Sequence, residues 1–155
     1  MSGEKSRDCG GLVLTLRRYD ILANFALTLE WFVRAQAGTT GLSAAKIVST
    51  STATLTGTTI TAEGCDVGIY VAPTTSSVII KGVTVTGAND HGIFVQDASH
   101  ITIETSKVEG NGLAPTPSIN ENKAIELVGT SNAMVVHDTV TGNVGGGVGG
   151  VTATA

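Results

Sequence analysis

Two short phrases, repeated in fixed order along the chain, limit what this sequence can fold into. The first, apolar-x-x-small-x-apolar, runs from Leu55 to Ile60, Ile80 to Val85, Ile103 to Val108 and Val135 to Val140, in steps of 25, 23 and 32 residues. The second opens on a small residue: Gly68-Ile69-Tyr70-Val71, Gly92-Ile93-Phe94-Val95, Ala124-Ile125-Glu126-Leu127 and Gly147-Val148, in steps of 24, 32 and 23. Both absorb the same long step, which places an insertion of about nine residues between Glu109 and Lys123. Each unit holds three short apolar runs joined by turns; in the second full unit these are Val78–Ile80, Val83–Val85 and Gly92–Val95. No run is long enough for a crossover helix, so a parallel sheet flanked by helices is excluded. Strand-and-turn units of this length bury their apolar sides only by stacking, which predicts a solenoid. Four coils at a ~4.8 Å strand spacing give a stack of about 19 Å.

Composition agrees with all-β structure. Thr, Val and Gly supply 60 of the 155 positions, and only 14% of residues are charged. That mixture argues against a helical bundle and against disorder. A net charge of -4 without a basic stripe argues against nucleic acid as a partner.

The first 37 residues differ from the rest. They hold all four Arg (Arg7, Arg17, Arg18, Arg34) and the only Trp, Trp31, whereas everything from Gly38 onward carries nine acids and four Lys. One reading is an export signal, with Arg17-Arg18 before the apolar run Ile21 to Val33 and a small-x-small site at Ala35-Gln36-Ala37. The other is an amphipathic cap helix, since Leu22, Phe25, Ala26, Leu29, Phe32 and Val33 share one helical face. The apolar run is too short to span a bilayer, and no membrane anchor is evident. The expected organisation is a signal or cap segment over 1–37, a linker or first partial coil over 38–52, and repeats over 53–155 that stop before a last coil is finished. If the signal is removed, Cys9 goes with it and Cys65 remains as a lone buried thiol.

The Gly-Ile-x-Val strand openings, the apolar-x-x-small-x-apolar phrase and the turns Gly110-Asn111 and Gly142-Asn143 resemble the right-handed parallel β-helix family, the pectate-lyase-like fold. The resemblance covers about two-thirds of the chain and implies a right-handed parallel β-helix of about four coils. The family often stacks Asn at the turn inside the first phrase. Here that column reads Thr58, Val83, Ser106, Asp138, so no continuous Asn ladder is expected there. The family's activities transfer incompletely: no Arg base exists beyond Arg34, Asn89-Asp90-His91-Gly92 only echoes a Gly-His-Gly turn, and Asp90-His91 lacks the Pro of an Asp-Pro-His motif. The glycine run 145–150 opens no helix and reads as a turn, not a phosphate loop.

Candidate chemistry follows from stacking the units. With Ile69, Val71, Ile93, Val95, Ile125 and Leu127 inward, Tyr70, Phe94 and Glu126 fall in one outward column. Aromatic rings beside an acid suit sugar rings and their hydroxyls, although cross-strand stacking alone also explains such a column. In the preceding turn, Asp66, Asp90 and Asn122 form one column, and Val67, His91 and Lys123 the next. Two neighbouring carboxylates suit acid–base work or Ca²⁺, His91 a proton shuttle, and Lys123 neutralisation of a uronate carboxylate. Asp and Asn are also ordinary turn residues. The insertion, with Pro115 and Pro117, reads as a surface loop at the lip of the same face. The expected function is a secreted or periplasmic protein that binds an acidic polysaccharide, with a lyase- or epimerase-like activity as its stronger form. The alternatives are a non-catalytic surface or adhesin-type module, or a piece of a larger β-helix protein, associating through open ends.

Overall fold

The computed structural model describes residues 12–16, 43–49, 52–113 and 122–151. Fourteen strands form three all-parallel sheets, and the described residues contain no helix. The first sheet is built from β1 (Leu12–Leu16), β2 (Ser43–Ser49), β5 (Val67–Val71), β8 (His91–Gln96), β11 (Lys123–Val128) and β14 (Gly146–Val151). The second contains β3 (Ala53–Thr56), β6 (Ser76–Lys81), β9 (Ser99–Glu104) and β12 (Ser131–Val136). The third contains β4 (Thr59–Thr61), β7 (Thr84–Thr86), β10 (Lys107–Glu109) and β13 (Thr139–Thr141). The chain visits the sheets in turn, each strand pairing with its counterpart one coil away: a right-handed parallel β-helix.

The repeat steps reappear as hydrogen-bonded register. Leu55 pairs with Ile80, Ile80 with Ile103, and Ile103 with Val135. In the first sheet Ile69 pairs with Ile93, Ile93 with Ile125, and Ile125 with Val148. Val148 on the last strand is 52% exposed, whereas in the inner coils these residues point inward, and Ile47, Ile69, Ile80, Ile93, Ile103 and Ile125 are at most 1% exposed. Each such side chain contributes roughly 1.5–3 kcal/mol of burial. The β-branched Ile and Val keep stiff rotamers on a pleated surface, which suits columns of like residues stacked coil on coil.

The turns hold two polar ladders. Between the second and third sheets the Ser106 hydroxyl accepts from the Val83 amide at 3.2 Å, and Asp138 Oδ1 accepts from the Ser106 amide at 2.6 Å. After the third sheet, Asn111 is fully buried. Its Oδ1 accepts from the Ala88 amide, and Asn143 Oδ1 accepts from the Asn111 amide, both at 3.0 Å. The Asn ladder missing from the first turn is therefore present at the second, on the two Gly-Asn dipeptides.

One expectation is corrected and two lie outside the described residues. Cys65 is buried and disulfide-bonded; the lone thiol is the expectation for a chain without residues 1–37. The glycine run read as a turn is strand β14 for Gly146–Val151, because its backbone completes the ladder with β11. The expected cap helix over Leu22 to Val33 lies outside the described residues, as does the 114–121 part of the insertion. No helix among the described residues is long and apolar enough to cross a membrane.

Candidate functional site

The outer face of the first sheet gathers most of the candidate side chains. Tyr70 of β5, Phe94 of β8 and Glu126 of β11 are direct register partners and form one partly buried row. The two rings lie nearly parallel, 14° apart, with centroids 5.7 Å from each other. Offset aromatic pairs of this kind contribute about 0.5–1.5 kcal/mol beyond their burial. The row begins one coil earlier than the repeat phrases suggested. Lys46 of β2 pairs with Tyr70 and sets its ammonium 5.6 Å from that ring's centroid. The Tyr70 hydroxyl donates to Gln96 Oε1 at 2.9 Å. Burial, and behind it the charge of Asp97, raise the Tyr70 hydroxyl above the ordinary phenol range, so it remains a protonated donor.

His91 joins this row through a break in strand alternation. Strict alternation would place His91 and Phe94, three residues apart, on opposite faces. A Cβ at Gly92 would run into the core side chain of Val108, so Gly92 and the buried Ile93 both face inward. Two successive inward positions return His91 to the outer face. Its ring lies 5.1 Å from that of Phe94, tilted by 31°. Its Nε2 stands 2.6 Å from Glu126 Oε2, with the two side chains 13% and 15% exposed. The approach is short but not aligned as a hydrogen bond; it is an ion-pair contact when the imidazole is protonated.

The turn before the strand stacks as the sequence indicates. The amides of Asp90 and His91 both donate to the carbonyl of Asp66, at 2.9 and 3.1 Å, so the Asp66 and Asp90 turns are adjacent. Asn122, buried to 3% exposure, leads into Lys123 at the start of β11. Among the described residues no group of three or more His, Cys, Asp or Glu side chains gathers to hold a metal.

The geometry therefore joins Tyr70, Phe94, Glu126 and His91 through contacts, and keeps Asp66 and Asp90 on the neighbouring turn. Lys46 and Gln96 are additions that the repeat phrases did not name. Lys46 stands 24 residues before Tyr70, one repeat step, and Gln96 two residues after Phe94. The repeat spacing alone was sufficient to find Lys46, but Ala45 occupies the place of the Ile that follows the small opening residue in the later copies.

The chain is matched by the family described as a right-handed β-helix region, over residues 33–155. No curated protein and no solved structure gives a significant match.

Proposed function

The chain belongs to the right-handed β-helix family, and we propose that on this scaffold the outer face of the first sheet binds an acidic polysaccharide. The single observation that carries the reading is the continuous row Lys46, Tyr70, Phe94, Glu126, in register across four coils, with His91 clasped to it. Rigid rings beside fixed donors and acceptors suit a sugar, which has apolar ring faces and a hydroxylated edge. Lys46 at one end and Lys123 near the other favour a polymer that carries carboxylates. The reading includes action outside the reducing cytosol, where a disulfide at Cys65 persists; it then requires a form that keeps Cys9, the one other Cys of the sequence, rather than one cut at Ala35-Gln36-Ala37.

One observation favours a catalytic form of the same reading. A carboxylate held against an imidazole orients it as a general base. In a lyase- or epimerase-like step His91 would take the proton α to a uronate carboxylate, with Glu126 as the group that positions it. In the lyase form the C4–C5 double bond then forms as the C4–O glycosidic bond breaks, and the leaving oxygen takes a proton from water. In the epimerase form C5 takes a proton back on its opposite face. Lys123 would neutralise the charge that develops, with Asp66 and Asp90 at the edge. The test is binding and turnover of a panel of neutral and acidic glycans by the full chain, Tyr70→Ala/Phe94→Ala and His91→Gln. The binding reading expects acidic polymers alone to be retained, with affinity at least about tenfold weaker in the double variant. The catalytic form expects unsaturated or epimerised product that His91→Gln abolishes while binding persists. Absence of product from every polymer that binds leaves a non-catalytic binding module. Absence of binding to the whole panel overturns the proposal.

A further inference from the structure

The glycine strand β14 carries an unusual side-chain neighbour. Lys123 starts on β11 in register with Gly146, and three residues on, Glu126 is in register with Gly149. A Cβ at Gly146 would stand 2.9 Å from the Lys123 Cδ, and one at Gly149 would stand 3.0 Å from its Cε. The Lys123 stem therefore lies along bare backbone, crossing from its own coil onto the next. Its ε-carbon comes to rest where the side chain of the next residue in the Lys46–Tyr70–Phe94–Glu126 row would stand. Lysine stems commonly lie along apolar surface while the ammonium stays hydrated. Here Gly146 and Gly149 leave open the space that the stem occupies.

We propose that Gly146 and Gly149 act as a positioning floor that makes Lys123 the second of two cations bracketing the row. Lys46 over Tyr70 is the first. Four strand spacings separate the Lys46 and Gly149 positions, roughly 19 Å. Between them lies one carboxylate of the row, Glu126, which His91 contacts. The inference rests on the acidic-polysaccharide reading and narrows it: the ligand is a polyuronate segment long enough to reach both cations at once. A shorter acidic segment engages one cation only, and a neutral segment engages neither. Neither glycine adopts the left-handed backbone that excludes other residues. Alanine at both positions is thus conformationally allowed, and only the flexible end of Lys123 must move.

The experiment is calorimetric titration of the full chain with oligogalacturonates of increasing length and with neutral oligosaccharides of matched length. The proteins are the parent, Lys46→Met, Lys123→Met and Gly146→Ala/Gly149→Ala, with thermal melts to verify folding. The parent is expected to show a stepwise gain in affinity, about tenfold, once the oligomer spans the two cations. The gain should vanish in both Lys variants and in the Gly double variant, whose melting temperature stays equal or rises. The salt dependence of the step should fall with it. The floor is refuted if the Gly variant keeps the step while Lys123→Met loses it. The bracket is refuted if both Lys variants keep the step. A parent that binds no acidic oligomer of any length overturns the polysaccharide reading itself, a different outcome from either.

Discussion

Asp138 shows how a single atom can be out of place in a stacked turn. Its Oδ1 takes the Ser106 amide, but its Oδ2 is buried with no partner. Burial raises its carboxyl above the ordinary carboxylate range, and Glu104 adds to the rise; the Ser106 and Val136 amides and His137 pull against it. A carboxyl with a raised value in the folded state is destabilising while ionised. The penalty is complete above the raised value, shrinks as pH falls through it, and is gone below the ordinary carboxylate value. Asn143 shows what the position lacks. Its amide nitrogen donates to the carbonyl two residues before it, Thr141, at 3.0 Å. Asp138→Asn keeps the acceptor for Ser106 and adds such a donor. Stabilisation of about 1 kcal/mol is expected at neutral pH. Urea unfolding at a series of pH values should show the gain shrinking to nothing on acidification.

Among the elements, the ladder turn after the third sheet matters most for cohesion of the coils. Asn111 Nδ2 reaches the carbonyls of Val85 and Glu109 and the Asn143 side chain, at 3.3, 3.1 and 2.9 Å, while its Oδ1 holds the Ala88 amide. Asn111→Ala leaves several of these groups buried and unpaired, and a loss of about 3 kcal/mol is expected by chemical denaturation. The strands were legible in the sequence because inward Ile and Val recur at the coil length, and a hydrogen-bonded register must follow that length. The irregular steps of 25, 23 and 32 became the pairings Leu55–Ile80–Ile103–Val135 without slippage. The coil of β2 was harder to see because Ala45 is too small to mark an inward column. Strand β14 was marked by the Gly147-Val148 copy of the second phrase, but the glycines around it carry turn character in a sequence, while here the neighbouring strand imposes the ladder. The ladder at Asn111 had a visible sign in the repeated Gly-Asn dipeptide, but whether such an Asn points inward depends on the turn's shape.

Over the whole molecule, the three sheets are not equivalent. The third has Thr at most of its outward positions, Thr59, Thr61, Thr84, Thr86, Thr139 and Thr141, interrupted by the Lys107–Glu109 pair at 2.8 Å. The second carries the Lys81–Glu104 pair at 2.9 Å. Among the described residues, only the first sheet joins aromatic, acidic, basic and imidazole side chains in mutual contact. Its row was legible as Tyr70, Phe94 and Glu126 because those outward positions keep the same phase as the inward Ile. The His91–Glu126 contact was not, because it depends on two consecutive inward residues at Gly92 and Ile93 that break alternation. Sequence periodicity thus located the face, and a local irregularity decided which side chains meet on it. The account rests on that face as the binding surface, and an NMR titration of the labelled full chain with oligogalacturonate long enough to span the row tests it most directly. Saturable shift changes are expected at Lys46, Tyr70, His91, Phe94, Gln96, Glu126 and Gly149, with the second and third sheets silent. Shifts centred on either of those sheets, or no shifts at saturating ligand, would contradict it.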